Sequence, residues 1–233
     1  MSTTTRKPAA PSRVDVRKTY KLYIGGKFPR SESGRSYEVF SAGRSPKFLA
    51  NAAQGSRKDA RDAVVAARKA HSGWAGATAY NRGQVLYRVA EVMESRRSQF
   101  VAEVQAAEGL TPARAEANVS AAIDRWVWYA GWSDKFAQVL GGANPVAGPF
   151  FNLSAPEPTG VVAALAPQGS SLLGLVSVVA PIIVSGNTAV VLASQERPVP
   201  AITLAEALAT SDVPGGVVNL ITGVTSEVAP WLA

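Results

Sequence analysis

Hydrophobic and polar positions follow two different patterns along this chain, and the change comes near Gly141. Before it, apolar residues recur every three or four positions, which is the period of a helix that buries one face. After it, short uncharged runs alternate with turn residues, a pattern typical of buried strands joined by helices. The sequence therefore predicts an α/β protein with a helical N-terminal segment followed by a parallel sheet.

The helical segment contains three predicted helices between residues 56 and 139. The first begins at a capping box that runs from Ser56 to Asp59, and it ends at Gly73. Thr111-Pro112 is typical of a helix start, with the hydroxyl at the cap and the proline in the first turn. The predicted helices cover residues 56–73, 79–107 and 111–139.

The third predicted helix carries four aromatic residues, Trp126, Trp128, Tyr129 and Trp132. Such a group is able to stack on a ligand or on nucleic-acid bases. At helical spacing, however, aromatic side chains more often pack into a core or an interface. We favour packing and keep the ligand interpretation as the alternative.

The region from residue 159 to residue 223 predicts a βαβαβ unit. Its apolar runs lack charged residues and are bounded by turn residues, as in strands that are buried on both faces. Strands connected by helices in this way run parallel through right-handed crossovers, and three of them form half of a doubly wound, Rossmann-like sheet. The predicted elements are strand 160–166, helix 171–185, strand 188–193, helix 199–210 and strand 217–222.

Two further β segments are predicted outside this unit. Tyr20–Phe28 places apolar and aromatic residues on both sides of Gly25-Gly26, which indicates a hairpin. Residues 144–158 are rich in proline and glycine around Phe150–Leu153 and indicate an extended arm strand. The stretch between the hairpin and the first helix is polar and is predicted to be a loop. All these segments belong to one domain, residues 20–233.

Positive charge is concentrated near the N-terminus. The chain has 24 Lys and Arg against 17 Asp and Glu, and residues 1–70 hold 16 of the basic residues and 5 of the acidic ones. Basic regions attract nucleic acid, acidic membranes or acidic partner proteins. Here the basic residues are scattered without a recognition motif, so a nucleic-acid-binding module is a minor alternative. Residues 1–19 are predicted to be a disordered basic leader.

Composition excludes several kinds of chemistry within this sequence. It contains no cysteine and one histidine, His71, so we expect no thiolate nucleophile, no triad and no metal site built on these residues. No charged residue occurs from Pro158 to Gln195, but turn residues interrupt this stretch before it reaches the roughly 20 apolar residues of a membrane span. We therefore expect a cytoplasmic protein without a metal ion and without a membrane partner.

One turn is the candidate site on geometric grounds. Residues Ala166 to Ser171 follow the first strand of the βαβαβ unit, where N–H groups at a helix start are free to bind a ligand. Gly169 and Gly174 have the spacing of the two P-loop glycines, but Leu175-Val176 occupy the positions that require Lys and Ser/Thr. A ligand site and a connector with favourable turn residues are equally supported.

The order of several sequence blocks resembles the aldehyde dehydrogenase superfamily. The resemblance covers residues 20–233 and corresponds to the N-terminal half of the family's subunit. It implies a cofactor domain, a catalytic domain and an oligomerisation arm in the complete subunit. The blocks are YIGGKF (residues 23–28), WYAGW (128–132), EPTGVVAALAP (157–167), APIIVSGNTAVV (180–191) and VPGGVVNLITG (213–223).

The resemblance implies a cofactor site at the ends of the first two parallel strands. The family's P-W-N-F-P block corresponds to Pro167–Ser171, and Gly169 replaces the Asn that donates to the oxyanion. The family's Lys and Glu, which hold the adenosine ribose of NAD(P), correspond to Leu192 and Gln195. The degenerate cofactor positions are Ala166, Pro167, Gln168, Gly169, Leu192, Gln195 and Gly223.

The resemblance also leads to expectations about activity. The family's general-base Glu and nucleophilic Cys are expected beyond Ala233, so we expect no catalytic residue here and no cofactor, or NAD(P) if any. In this the chain is most similar to the cysteine-less second domain of two-domain aldehyde dehydrogenases. These features predict a non-catalytic scaffold or regulatory subunit. The alternative is a component of an active NAD(P)-dependent enzyme that oxidises aldehydes to acids, with its catalytic half on another chain.

Assembly is expected from the predicted strand edges. The hairpin around Gly25-Gly26 and the strand at Phe150–Leu153 resemble two strands of the family's arm. The outer edge of the strand at 217–222 is expected to be open, and natural proteins seldom leave such an edge bare. The expected partner is a catalytic aldehyde dehydrogenase subunit or a second copy of this chain.

Overall fold

The structure is a computed structural model that describes residues 18–233. The predicted leader, residues 1–19, lies outside the described residues apart from its last two, and Thr19 already belongs to a strand. The strands are β1 (Thr19–Tyr20), β2 (Ser36–Phe40), β3 (Phe48–Ala53), β4 (Gly142–Ala143), β5 (Leu153–Ser154), β6 (Val161–Leu165), β7 (Thr188–Leu192) and β8 (Val218–Ile221). The helices are α1 (Arg57–Gly76), α2 (Ala79–Ser95), α3 (Arg97–Glu108), α4 (Pro112–Trp132), α5 (Phe136–Leu140), α6 (Leu173–Val184), α7 (Val199–Ala209) and α8 (Thr225–Val228), with a final 3₁₀ turn at Ala229–Trp231.

A small mixed sheet lies where the sequence predicted a polar loop. Its strand order is β1-β3-β2, with β2 antiparallel and β1 parallel to β3. Within β2 only Val39 is buried, and β3 consists mostly of small residues, FLANAA. β2 alternates polar and apolar residues over only four positions, from Ser36 to Val39, and β3 shows no alternation by which a strand is recognised. The loop prediction was wrong for this reason.

The first helix begins as predicted and ends later. The Ser56 hydroxyl accepts from the Asp59 N–H at 3.3 Å, and the Asp59 carboxylate accepts from the Ser56 N–H at 2.8 Å, which completes the capping box. The helix continues through Gly73, although a glycine inside a helix costs roughly 1 kcal/mol relative to alanine. The next residue, Trp74, is buried and donates its indole N–H to the Ile183 carbonyl at 2.7 Å. The burial and the hydrogen bond of Trp74 offset the cost of placing Gly73 inside the helix.

The second and third predicted helices are each interrupted. α2 and α3 are separated at Arg96, whose φ of −109° and ψ of 15° are not helical. At this break the Arg96 guanidinium reaches the Glu206 carboxylate on α7 at 2.6 Å. The third helix ends at Trp132, and the short α5 follows it. The interruption at Arg96 coincides with a distant contact, which helical periodicity does not contain.

The βαβαβ unit forms as predicted and defines the fold as α/β. β6, β7 and β8 are parallel and lie in that spatial order, and β7 is buried along its whole length. Residues of α6 and α7 share one apolar core with α2, α3 and α4 on one face of the sheet. Residues of α1 pack against the other face. The sheet is therefore covered by helices on both faces, as a parallel sheet requires.

The two outer edges of this sheet differ from the expectation. The predicted hairpin covers β8, because the Tyr23 N–H donates to the Leu220 carbonyl at 2.9 Å and the Leu220 N–H donates back at 2.8 Å. The N–H of Gly25 donates to the Asn219 side chain at 2.9 Å and fixes the turn. The expectations that β8 has an open edge and that the hairpin belongs to an arm were wrong. Among the described strands, β6 has a partner on one side only, and Leu165 on it is 52% exposed.

The predicted arm strand is a short antiparallel ribbon. β4 and β5 contribute two residues each, and the Asn144 N–H extends the ladder to the Asn152 carbonyl at 2.8 Å. The predicted strand at Phe150–Leu153 reduces to Leu153–Ser154. The loop of this ribbon exposes Phe150 and Phe151 by 75% and 86%. The ribbon therefore presents apolar side chains to its surroundings.

Candidate functional site

The predicted site lies at the carboxyl ends of β6 and β7. The Ala166 N–H donates to the Leu192 carbonyl at 2.9 Å and extends the ladder between the two strands. Ala166 and Leu192 are buried, whereas Pro167, Gln168 and Gly169 are exposed. The exposed residues form the turn that leads towards α6, so the structure places this part of the predicted site where a doubly wound sheet binds its ligands.

The Gln168 side chain forms hydrogen bonds within the protein through both ends of its amide. Its Oε1 accepts from the Gln195 N–H at 2.9 Å, and its Nε2 donates to the Ala166 carbonyl at 3.0 Å. The Gln168 carbonyl also accepts from the Ser194 hydroxyl at 2.9 Å. These bonds connect the end of β6 to the end of β7 and use polar groups that would otherwise face a ligand.

The Gln195 side chain also forms a hydrogen bond within the protein. Its side-chain oxygen accepts from the Thr225 N–H at 2.9 Å, which satisfies one free donor at the start of α8. Gly223 precedes this helix with a φ of 153°, and a Cβ atom placed on it would lie 3.0 Å from the Gly55 nitrogen. The structure thus brings Gln168 and Gln195 together and packs Gly223 against the backbone of Gly55.

Leu192 lies in an apolar cluster. Its side chain is fully buried and belongs to the same core cluster as Leu22, Ala53 and Ile221, on the face of the sheet that α1 covers. A charged side chain at this position would have to leave that cluster, because burying an unpaired charge costs several kcal/mol or more. Leu192 contributes its carbonyl to the strand ladder and no polar side-chain group to the turn.

Glu108, at the end of α3, occupies the anion position at the turn. Its Oε1 accepts from the Ser171 N–H at 2.6 Å and from the Ser171 hydroxyl at 2.7 Å. The Ser170 hydroxyl accepts from the Gly174 N–H at 3.0 Å. The donors that favoured an anion-binding turn are therefore satisfied by the protein itself. Sequence reasoning missed Glu108, which lies 63 positions from Ser171 and directly follows the second predicted helix.

A cleft of about 350 Å³ lies beside this turn. Phe40 from β2, Ala107 from α3, and Glu196 and Arg197 after β7 contribute to its lining. The Arg197 guanidinium donates to the Gly169 carbonyl and so closes the cleft against the turn. The neighbouring polar groups bind the protein's own backbone, and the cleft is lined by two acidic side chains and one basic side chain.

The aromatic residues of α4 divide between core and surface. Trp126 is fully buried, as the packing interpretation predicts. Trp128 is 54% exposed, and its ring centroid lies 5.3 Å from that of Trp132. Phe136 continues this row at 5.9 Å from Trp132. The row lies on the helical segment and takes no part in the turn after β6.

Two general features limit the chemistry of residues 18–233. Within this range, no group of three or more His, Cys, Asp or Glu side chains is arranged to hold a metal ion. None of the helices in the same range combines the length and the apolar character needed to cross a membrane.

Comparison with known proteins identifies a family. The family model described as the aldehyde dehydrogenase family matches residues 28–233. Aldehyde dehydrogenase 1A1 of Gallus gallus is 31% identical over 223 residues, which are 93% of this chain and 43% of that protein. An aldehyde dehydrogenase of Aspergillus niger is 28% identical over 91% of this chain and 42% of its own length. The chain therefore spans less than half the length of these relatives.

Solved structures give the same result for the fold. An NAD-dependent aldehyde dehydrogenase from Sinorhizobium meliloti is similar with a TM-score of 0.88 and 26% identity, over 96% of this chain and 45% of that one. The NAD⁺ complex of an aldehyde dehydrogenase from Bacillus cereus is similar with a TM-score of 0.87 and 25% identity, over 92% of this chain and 44% of that one. The architecture described above is that of the N-terminal part of such proteins.

Proposed function

Because this chain belongs to the aldehyde dehydrogenase family, we propose that it is a non-catalytic member that associates with a catalytic aldehyde dehydrogenase subunit. The observation that carries the proposal is the set of internal bonds at the turn after β6. Gln168 and Gln195 use their side chains on the protein's own backbone, at 2.9 Å from the Gln195 and Thr225 nitrogens respectively. A ligand at this turn would have to displace these bonds.

The residues at the family's cofactor positions do not fit the ribose of NAD(P). The family's Lys corresponds to Leu192, whose buried side chain has no hydrogen-bond donor, and its Glu corresponds to Gln195, which carries no charge. Hydrogen bonds to charged groups contribute roughly 1.5–3 kcal/mol each. The loss of two such bonds weakens dinucleotide binding by at least a hundredfold, since about 1.4 kcal/mol corresponds to a tenfold change.

The position of the family's oxyanion donor supports the same proposal. Gly169 corresponds to the Asn that donates to the charge developing on the aldehyde oxygen, and glycine has no side-chain donor. Its carbonyl accepts a hydrogen bond from Arg197. Removal of one oxyanion donor costs an enzyme roughly 2.7–4 kcal/mol of transition-state stabilisation. This chain's contribution to aldehyde oxidation is reduced accordingly.

Two surfaces support association with another subunit. β6 offers an outer edge along which a further parallel strand would pair, and Ala163 and Leu165 on this strand are exposed. The β4–β5 ribbon exposes Phe150, Phe151 and Leu153, the last by 57%. Exposed apolar side chains gathered on one projecting segment are typical of subunit interfaces. Each of these two surfaces is available to a catalytic subunit and equally to a second copy of this chain.

A second candidate function is a component of an active NAD(P)-dependent aldehyde dehydrogenase. The intact βαβαβ unit favours it, because this unit is similar to the corresponding part of the NAD⁺ complex from Bacillus cereus. In this case the catalytic residues would come from another chain. The two candidates agree on the fold and differ on whether this chain binds a dinucleotide.

Calorimetric titration with NAD⁺ and NADP⁺ separates the two candidates. We expect no saturable binding by the purified chain below about 1 mM. Binding tighter than about 10 μM, which corresponds to roughly 7 kcal/mol, would favour the active component. The variant Gln195→Glu restores one family residue at an accessible position and serves as a positive comparison. Tighter NAD⁺ or NADP⁺ binding by Gln195→Glu than by the wild type would show that the turn is accessible to a dinucleotide. Binding of either dinucleotide by the wild type more tightly than about 10 μM would contradict the non-catalytic proposal.

Assembly is tested by co-expression with a complete aldehyde dehydrogenase of the same host. We expect the two chains to purify together and to show one mass by size-exclusion chromatography with light scattering. A well-folded monomer that remains separate from the dehydrogenase would contradict the partner role. Aldehyde oxidation by this chain alone, above a buffer blank, would contradict the non-catalytic role.

A further inference from the structure

The outer face of α1 carries a groove that is separate from the turn after β6. The groove has a volume of about 640 Å³ and lies between the first three turns of α1 and the 3₁₀ turn at Ala229–Trp231. Its cationic lining residues are Arg57, Lys58, Arg61 and Arg68. On the opposite face of the same helix, small side chains such as Ala63 pack into the sheet.

The cations of the α1 groove are spaced regularly along one side of the helix. Arg57 and Arg61 are one turn apart, and Arg68 follows Arg61 by two turns, or roughly 10.5 Å at 1.5 Å per residue. Lys58 pairs with Glu32 at 3.4 Å, and Arg61 pairs with its exposed neighbour Asp62 at 2.9 Å. Such exposed pairs are weak because solvent screens them, and they open readily for another anion. The groove therefore retains an excess of positive charge.

Apolar side chains lie among these cations. Val65 is 58% exposed and Trp231 is 50% exposed, although both are large hydrophobic residues. The Arg57 guanidinium stacks on the Trp231 ring at 4.5 Å from its centroid, which holds the indole at the end of the groove. Trp and Arg are the residue types that contribute most strongly to protein–protein interfaces. An ordinary solvated helix face would not require the exposed valine and indole.

We propose that the α1 groove binds an acidic amphipathic segment of a partner protein. The charge of the groove selects carboxylates, and the spacing of Arg61 and Arg68 matches acidic residues two turns apart on a helix. Val65 and Trp231 supply an apolar floor for the other side of that segment. The chain's own N-terminal residues 1–17 are an unsuitable occupant, because they contain four basic residues and one acidic residue.

A single polyanion of another class fits less well. A nucleic-acid strand gains from aromatic faces on which bases stack, and Arg57 already covers one face of Trp231. A flat anionic membrane would contact the exposed tips of the cations without filling the groove volume of about 640 Å³. The acidic segment uses both the charge and the apolar floor.

The probe for this proposal is a fluorescein-labelled helical peptide of 16 residues with Glu on one face and Leu on the other. Its matched control has Gln at every Glu position. We expect saturable binding of the acidic peptide to the full chain, measured by fluorescence anisotropy, and at least tenfold weaker binding of the Gln peptide. Binding should weaken as salt is raised, because the Debye length falls from about 10 Å at 0.1 M to about 3 Å at 1 M.

Variants localise the binding. Arg61→Glu/Arg68→Glu is expected to weaken binding of the acidic peptide at least tenfold, and Trp231→Ala about threefold or more. Arg44→Glu/Arg114→Glu makes the same change in net charge at exposed positions elsewhere and is expected to leave binding unchanged. Circular dichroism checks that each variant is folded. If Arg61→Glu/Arg68→Glu is unfolded, the charge-removing variant Arg61→Gln/Arg68→Gln replaces it.

Three outcomes would overturn the proposal. The first is no saturable binding of the acidic peptide below about 1 mM at low salt. The second is equal loss of binding in Arg61→Glu/Arg68→Glu and in Arg44→Glu/Arg114→Glu, which would show a general charge effect. The third is tighter binding of a 16-nucleotide oligothymidylate, or of vesicles containing phosphatidylserine, that depends on Arg61 and Arg68, which would assign the groove to nucleic acid or to a membrane.

Discussion

The carboxylate of Glu108 binds Ser171 through two hydrogen bonds, at 2.6 Å to the backbone N–H and at 2.7 Å to the hydroxyl. These bonds connect the end of α3 to the turn that begins α6. One charged oxygen therefore satisfies two donors that lie at the carboxyl end of a parallel strand. The turn is therefore stabilised by a carboxylate from the helical segment.

Glu108→Ala is expected to lower the free energy of unfolding by about 2–3 kcal/mol, since it removes hydrogen bonds to a charged acceptor and leaves two donors unsatisfied. Glu108→Gln retains one acceptor and should lose less. Urea denaturation followed by circular dichroism measures both. The comparison is Glu116→Ala, which removes an exposed pair with Arg97 and should cost about 1 kcal/mol or less. Equal effects of Glu108→Ala and Glu116→Ala would contradict this assignment.

Two glycines are expected to respond to alanine in opposite directions. Gly73 lies inside α1, and a Cβ atom there has no neighbour within 4 Å, so Gly73→Ala should stabilise the protein by about 0.5–1 kcal/mol. Gly216 has a φ of +97°, and its Cβ would lie 2.6 Å from the Ala66 carbonyl oxygen. Gly216→Ala should therefore cost about 2–4 kcal/mol through backbone strain and overpacking. In thermal denaturation, the midpoint of Gly73→Ala should lie above that of the wild type and the midpoint of Gly216→Ala below it. Midpoints that shift in the same direction would contradict this prediction.

Glu103 makes stability depend on pH. Burial raises the pKa of this carboxyl, Glu206 also raises it, and Lys18 opposes the shift. A raised pKa means that the folded state binds the proton more tightly, so the associated stability is present at low pH and is lost as pH rises through the folded-state pKa. Glu103→Gln keeps the oxygen that accepts from Gln99 and carries no charge. We expect the stability of Glu103→Gln relative to wild type to increase from pH 4 to pH 7.5.

The measurement is denaturation at several pH values with the exposed Glu38→Gln as the matched control. The prediction concerns the pH-dependent change of Glu103→Gln beyond that of Glu38→Gln. Equal pH dependence of the two variants would show that burial does not alter the protonation of Glu103.

The β4–β5 ribbon is expected to control association. Phe150→Ser/Phe151→Ser removes two side chains that are 75% and 86% exposed, so it should leave the unfolding midpoint nearly unchanged and lower the oligomer mass. Tyr87→Ser removes an aromatic residue of 51% exposure from α2 and should leave the mass unchanged. Light scattering over a range of concentrations measures both variants. An unchanged mass for the ribbon variant would assign the contact to another surface, with the edge of β6 as the next to test.

Local chemistry made much of this fold predictable. The capping box at Ser56 and the cap and proline at Thr111-Pro112 act within one helical turn, and each marks the start of a helix in the structure. The uncharged runs predicted the bounds of β6 and β7 within two residues, and β7 is buried along its whole length as expected, whereas no residue of β6 is fully buried. The residues FLANAA of β3 have no marked preference for strand structure, and the sequence analysis predicted a loop there instead of a strand.

The candidate site was predictable only in its position. A turn after a parallel strand follows from the order of elements, and the resemblance to the family identified Gly169, Leu192 and Gln195 as departures from its pattern. It did not show that Gln168 and Gln195 bond to the backbone around them, since their partners are set by how close the ends of β6, β7 and β8 lie. Side chains of this length reach many groups in an unfolded chain and select one only after the strands have paired.

The sequence by itself determined the βαβαβ order, the helix starts and the family, because these depend on hydrophobic period, charge-free runs and residues within a few positions of one another. Only the tertiary structure decided which edge of the sheet is free. The hairpin at Tyr23 pairs with Leu220 across almost the whole chain, and the carboxylate of Glu108 reaches Ser171 across 63 positions. Backbone N–H and C=O groups are the same in every residue except proline, so their long-range pairing leaves no mark in the sequence and is decided by packing.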